Sequence, residues 1–147
     1  SNLAGHVEIE DSAIIVGMTA VHQFSRIGCH AMVGGMSRIT HDVPPYTLGA
    51  GAPYRFGGLN LIGLKRRGVP LSTRRCLTQA FRLIYRCDLT LDEALERIEN
   101  EVEPIPEVLH WLEFCKSTQR GLIGLQGGVK KRAQRRESDE LVLNCAE

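Results

Sequence analysis

Seven aliphatic residues recur at a period of six through the first forty positions: Leu3, Ile9, Ile15, Val21, Ile27, Val33 and Ile39. Leu, Ile and Val make up about a quarter of the chain, so an unbroken run of seven arises by chance with a probability of roughly 10⁻⁴ per starting frame. Four residues after each stand Val7, Ala13, Thr19, Ser25, Ala31, Ser37 and Val43, all small or β-branched. An α-helix repeats its apolar face at three and four, and a strand alternates at two, so neither explains a period of six. The pattern predicts a β-solenoid over residues 1–45. Each hexad supplies a short flat face and a turn, with the large aliphatic on the axis and the small residue in the corner.

The register stops at "HDVPPY", where Pro44 and Pro45 remove two backbone donors and impose extended geometry. Gly49, Gly51, Gly57, Gly58 and Gly63 make residues 46–63 read as a Gly/Pro-rich loop. Residues 64–124 read as a small helical domain. Leu77, Ala80, Phe81, Ile84 and Tyr85 share one helical face, after an N-cap expected at Ser72 or Thr73. Thr90 and Glu93 form a T-x-x-E capping box ahead of the stripe Leu91, Ala94, Leu95, Ile98 and Val102. Pro104 and Pro106 separate this helix from a third, about 107–116, with Val108, Trp111, Leu112 and Cys115 inward. Residues 125–147, with "KKRAQRR", read as a polar, flexible tail.

Charge changes this picture more than composition does. With 147 residues, 43% of them hydrophobic, the chain has enough apolar material for a core, and its formal net charge is only +1. Between Asp42 and Asp88, however, lie eight bases and no acid, among them Arg55, Lys65, Arg66, Arg67 and Arg74. Nine acids follow from Asp88 to Glu113 against the single base Arg97. Few aromatics interleave the cationic block, which speaks against nucleic acid. Cys29, Cys76, Cys87, Cys115 and Cys145 are scattered, odd in number and without a CxxC pair, so they read as reduced thiols in a cytosolic protein. No apolar run of 18 residues is present to span a membrane, and no secretory signal is visible. A metal site from His22, His30 and His41 would need convergent side chains, and no Cys or acid pattern accompanies them, so no metal is expected.

The hexads resemble those of left-handed parallel β-helix acyltransferases, which wind three hexads into each coil. "LAGHVEI", "GMTAVHQFSRIG", "MVGG", "DVPPY", "GLNLIGLKRRG" and "LIYR", in this order, further resemble the C-terminal half of the UDP-N-acetylglucosamine O-acyltransferases of lipid A biosynthesis. That resemblance implies a cytoplasmic homotrimer with active sites between neighbouring solenoids. It implies transfer of a 3-hydroxyacyl group from acyl carrier protein to the 3-hydroxyl of UDP-N-acetylglucosamine. No cofactor is implied beyond the phosphopantetheine that carries the acyl donor. By position, His6, His22 and Gln23 match residues lining the substrate cleft. Gly35 matches one whose size limits acyl length, and Asn60, Arg66 and Arg67 match a nucleotide loop contributed by the adjacent subunit. Guanidinium forks suit a diphosphate.

The chain departs from the family pattern at Ile62, where a Glu is usual, and at Ala52, where an Asn is usual. The resemblance puts the catalytic base on a His in an earlier coil, ahead of Ser1, so no catalytic residue is assigned within these residues. Seven hexads make only a little over two coils and the chain opens on Ser1, so further coils are expected in front. Two readings of the chain as given follow. One is an incomplete piece of the acyltransferase. The other is a non-catalytic trimeric module whose basic face binds acyl carrier protein or another acidic partner. His6 and His22 as plain turn residues, Gly35 as relief of crowding, and Arg66 and Arg67 as a solvated cationic face remain the alternatives to the site.

Overall fold

A computed structural model of the protein describes residues 2–125. Seven two-residue strands come first: β1 (Asn2–Leu3), β2 (Glu8–Ile9), β3 (Ile14–Ile15), β4 (Ala20–Val21), β5 (Arg26–Ile27), β6 (Met32–Val33) and β7 (Arg38–Ile39). They pair in parallel with a register shift of 18 residues: Leu3 with Val21, Ile9 with Ile27, Ile15 with Val33, and Val21 with Ile39. Three hexads therefore complete one circuit, and the chain lays down three faces: β1-β4-β7, β2-β5, and β3-β6 with its continuation.

The corners explain why six residues suffice. His6, Ser12, Met18, Phe24, His30 and Met36 all have φ between 55 and 65°, so each hexad turns through one left-handed residue. The carbonyl of Glu10 accepts from the N–H of Ala13, that of His22 from Ser25, and that of Gly28 from Ala31. A three-residue closure with positive φ at its third position is type II-like turn geometry. None of the six is glycine, so each carries a cost of about 1–2 kcal/mol that the stacked neighbours must offset. The small residue of each hexad fills the inside of the corner, and at two corners its hydroxyl turns back on the chain, whereas the buried Ser25 Oγ finds no partner among the described residues. Thr19 Oγ1 donates to the Val16 carbonyl at 2.7 Å and Ser37 Oγ to that of Gly34.

Val21, Ile27, Val33 and Ile39 form a buried column, each contributing about 1.5–3 kcal/mol. Leu3 and Ile9, in the first circuit, are 50% and 41% exposed. Among the described residues, burial along the column thus deepens from β1 toward β7.

The stretch expected to be a loop, 46–63, is instead mostly a hairpin. β8 (Thr47–Ala50) joins the third face in parallel with β6 and pairs antiparallel with β9 (Arg55–Leu59). Close approach accounts for Gly49 and Gly57, and positive φ for Gly51 and Gly58: a Cβ on Gly49 would lie 2.5 Å from the Tyr54 ring. Gly28 is under the same constraint, since its Cβ would meet the Pro45 nitrogen at 2.3 Å.

Four helices follow: α1 (Leu61–Arg66), α2 (Leu71–Tyr85), α3 (Leu91–Glu101) and α4 (Pro106–Lys116). α2 starts ahead of the expected cap, with Pro70 at the N-cap position and Ser72 and Thr73 already in its first turn. The Pro70 carbonyl accepts from Arg74 N–H, and a Pro there forgoes no helical donor. The Thr90–Glu93 capping box forms as expected, and Pro106 sits in the first turn of α4. Trp111, Leu77, Ile84, Ile98 and Val108 close a second core, to which Phe56 adds a stack on Phe81 and Tyr85.

The two cores are joined through Asp42, which is 1% exposed. Its carboxylate accepts from Arg26 N–H and from Thr118 Oγ1 and pairs with the Arg26 guanidinium. That guanidinium also donates to the Phe114 carbonyl and lies 4.2 Å over the Phe114 ring. Cys29, Cys76 and Cys115 are free thiols. The basic tail and Cys145 lie outside the described residues, and no helix among those described is long and apolar enough to cross a membrane.

Candidate active site

The three-sided coil sorts the sequence-predicted residues by corner. His6, His22 and Gln23 fall on the column of turns between the first and second faces, because 18 residues separate His6 from Phe24 on the next circuit. His6 stacks on Phe24 with ring centroids 5.4 Å apart. It opens on a cleft of about 520 Å³ shared with Glu8, Arg26, Asp42 and Gln119. His22 and Gln23 are exposed on the same column. One circuit further, His41 Nδ1 lies 2.8 Å from Thr40 Oγ1. Burial holds His41 below the usual imidazole range, with the nearby Arg120 charge and His22 acting in the same direction against Asp42.

Gly35 occupies the corner between the third and first faces, above Gly17. A Cβ on Gly35 would make only ordinary contacts, 3.4 Å to Val16 Cγ1 and 3.5 Å to the Gly17 carbonyl. Its neighbour Gly34 differs, since a Cβ there would sit 2.6 Å from that of Ala50. Crowding therefore explains Gly34 and not Gly35. Relief of crowding drops out as the reason for a glycine at 35.

Asn60, Arg66 and Arg67 come together at the remaining corner, between the second and third faces. They line a cleft of about 470 Å³ whose floor is the outer face of the third sheet, Ile14, Met32 and Leu48. The Asn60 side-chain oxygen accepts from Gly63 N–H and caps α1. α1 then carries Lys65 and Arg66 in its last turn. Ile62 joins the same lining, 68% exposed.

His30, which carries no role in the sequence reading, also lines this cleft. It stacks on Tyr46 at 5.7 Å, and burial pushes its imidazole below the usual range, with the Arg67 charge in support and Asp11 opposing. An 18-residue circuit stacks positions 12 and 30, but only the fold shows that both face the loop that holds Arg67.

Of the seven residues, His6 lines one cleft and Asn60, Arg66 and Arg67 line another, while His22 and Gln23 stand exposed on the His6 column of turns and Gly35 on a third corner, so the coil does not bring His6, His22 and Gln23 into the cleft of Asn60, Arg66 and Arg67. A family model described as UDP-N-acetylglucosamine O-acyltransferase, domain 2, matches residues 42–123, more than half of the chain. The chain belongs to this acyltransferase family. Among curated relatives, an acyl-[acyl-carrier-protein]–UDP-N-acetylglucosamine O-acyltransferase of Gloeothece citriformis is 56% identical over 112 residues, covering 76% of this chain and 40% of its own. A protein of the same name from Aliivibrio salmonicida is 39% identical over 123 residues, covering 84% and 47%. The solved UDP-N-acetylglucosamine O-acyltransferase of Moraxella catarrhalis superposes with a TM-score of 0.78 at 39% identity, over 82% of this chain and 47% of that one. The Arabidopsis UDP-N-acetylglucosamine acyltransferase gives 0.75 at 34% identity. This family member spans less than half the length of the curated relatives it matches. As an acyltransferase-family chain, it presents an aliphatic Ile62 in the same cleft lining as Arg66, and among the described residues no carboxylate lines that cleft.

Proposed function

We propose that this chain contributes to an enzyme that transfers a 3-hydroxyacyl group from acyl carrier protein to the 3-hydroxyl of UDP-N-acetylglucosamine, the first step of lipid A biosynthesis. The observation that carries the reading is the separation of the two polar sets. His6, His22 and Gln23 flank one side of the coil, while Asn60, Arg66 and Arg67 edge another. Such a division is what a cleft shared by neighbouring copies requires, each copy giving one wall. The assembly is a cytoplasmic homotrimer of left-handed coils. That hand is carried over from the hexapeptide-repeat acyltransferases the chain resembles, since parallel crossovers otherwise favour the right hand.

In this reading Arg66 and Arg67 bind the diphosphate through charge-assisted hydrogen bonds, and the amide of Asn60 contacts the nucleotide. His6, His22 and Gln23 line the sugar and acyl side, and the bare corner at Gly35 leaves room for the acyl chain. A His from a preceding coil takes the proton of the sugar hydroxyl as its oxygen attacks the thioester carbon. A backbone N–H holds the oxyanion until the C–S bond breaks and the thiol of the carrier leaves. The cationic run from Arg55 to Arg86 attracts the acidic carrier.

The test uses the longer protein with the relatives' further coils, given 3-hydroxyacyl carrier protein and UDP-N-acetylglucosamine, with product read by mass spectrometry. Transfer is expected. Arg67→Ala should raise KM for the nucleotide sugar about 10–100-fold, the value of one or two charge-assisted bonds. Gly35→Met should leave Tm within a degree or two and shorten the preferred acyl chain. A trimer that binds acyl carrier protein and turns nothing over would replace this reading with a non-catalytic binding module.

A further inference from the structure

Glu10, Cys29 and His110, drawn from widely separated parts of the chain, meet where the coil touches α4. Glu10 follows β2, Cys29 lies on the turn after β5, and His110 projects from α4. Glu10 Oε1 stands 3.0 Å from His110 Nε2 and accepts the Cys29 backbone N–H at 2.9 Å. The carboxylate oxygen, the sulfur and an imidazole nitrogen all lie within 4.8 Å of one another, and all three residues are half-buried.

We propose that Glu10, Cys29 and His110 form a zinc site with one position left to water, which straps α4 to the coil. Thiolate, imidazole and carboxylate together match the borderline-soft character of Zn²⁺. Around a tetrahedral zinc with bonds of about 2.0–2.3 Å, ligand atoms stand roughly 3.3–3.8 Å apart. The observed triangle, with one edge at 3.0 Å and the others no longer than 4.8 Å, reaches that shape by side-chain adjustments of about an ångström. Half-burial gives an ion a way in and leaves the fourth position open. The consequence is mechanical: His110 and Glu10 are 100 residues apart, so one ion would cross-link the coil to the last helix. This inference does not rest on the acyltransferase reading, and its test needs no turnover.

The purified chain, stripped with a chelator, is titrated with Co²⁺ as a spectroscopic stand-in and then with Zn²⁺. One equivalent of Co²⁺ is expected to give a sulfur-to-cobalt charge-transfer band with intense tetrahedral visible bands, displaced by one equivalent of Zn²⁺. Cys29→Ser should abolish the charge-transfer band, and Glu10→Gln and His110→Gln should each weaken Co²⁺ binding at least about tenfold. Cys76→Ser, which leaves the trio intact, should not change it. Zn²⁺ should raise Tm of the parent and not of His110→Gln, whose fold is checked by circular dichroism. Absence of a stoichiometric band, or a band that survives Cys29→Ser or binding that is unchanged in His110→Gln, overturns the proposal and leaves Glu10 and His110 as an ordinary ion pair.

Discussion

The coil and the helical unit solve the same problem, burial of apolar surface, in opposite ways. In the helical unit α2, α3 and α4 close around Trp111, and every side of that core is covered by residues of this chain. In the coil each circuit covers only the one beside it, so Ile39 is fully buried while Leu3, two circuits away in the same column, is half exposed. A core closed on itself places its stability in packing, whereas a stack places it in the neighbour and tolerates local strain for the sake of period. The strain is visible in the αL corners, which have no counterpart among non-glycine residues of the helices.

The largest expected break is in the closed core. Trp111→Ala should cost about 3–5 kcal/mol, read by urea unfolding, because no neighbour of a closed core relaxes fully into so large a gap. The coil should answer by position: Ile39→Ala should cost about 3 kcal/mol and Leu3→Ala about 1 kcal/mol or less, although both occupy the same place in the hexad. Equal costs would show that depth in the stack does not govern stability. A smaller effect of opposite sign is expected at a corner. Met36 is 68% exposed with φ of 56°, so Met36→Gly should stabilise by about 0.5–1 kcal/mol, since glycine takes that conformation without the steric cost.

The smallest effect concerns His30. Burial, aided by Arg67, holds its imidazole below 6.5 in the folded chain, so below that pH the unfolded chain binds more protons. Its contribution to stability is complete above 6.5 and is lost as pH falls through the lower folded value. Tm followed from about pH 7.5 to about pH 5 should fall less steeply in His30→Gln than in the parent, with a residual slope from His41, which is displaced in the same direction.

Local signals were legible and long-range ones were not. The hexad period announced the coil because each aliphatic is positioned by its own six residues, and Thr90 with Glu93 announced α3 because a capping box closes within four. The β8–β9 hairpin was hidden because Gly49 and Gly57 look like loop residues until Tyr54 and Leu48 are seen lying on them. Leu83 and Phe114 were missed as core because each faces a partner helix that the periodicity of its own helix does not reveal. Of the site, the residues were nameable from motifs. Their separation onto different corners, and His30 beside Arg67, needed the 18-residue circuit. Glu10 and His110 share no local pattern at all.

The central claim is that one active site takes its walls from two copies of the chain, and mixing two defective variants tests it most directly. His22→Ala and Arg67→Ala forms of the longer protein, each strongly impaired alone, are co-expressed at equal levels and assayed for transfer to UDP-N-acetylglucosamine. If each cleft joins His22 of one copy to Arg67 of the next, about a quarter of the sites in random trimers carry both native walls, and activity returns to about that fraction. Activity no higher than that of either variant alone would mean that both residues serve a site within one chain, contradicting the account.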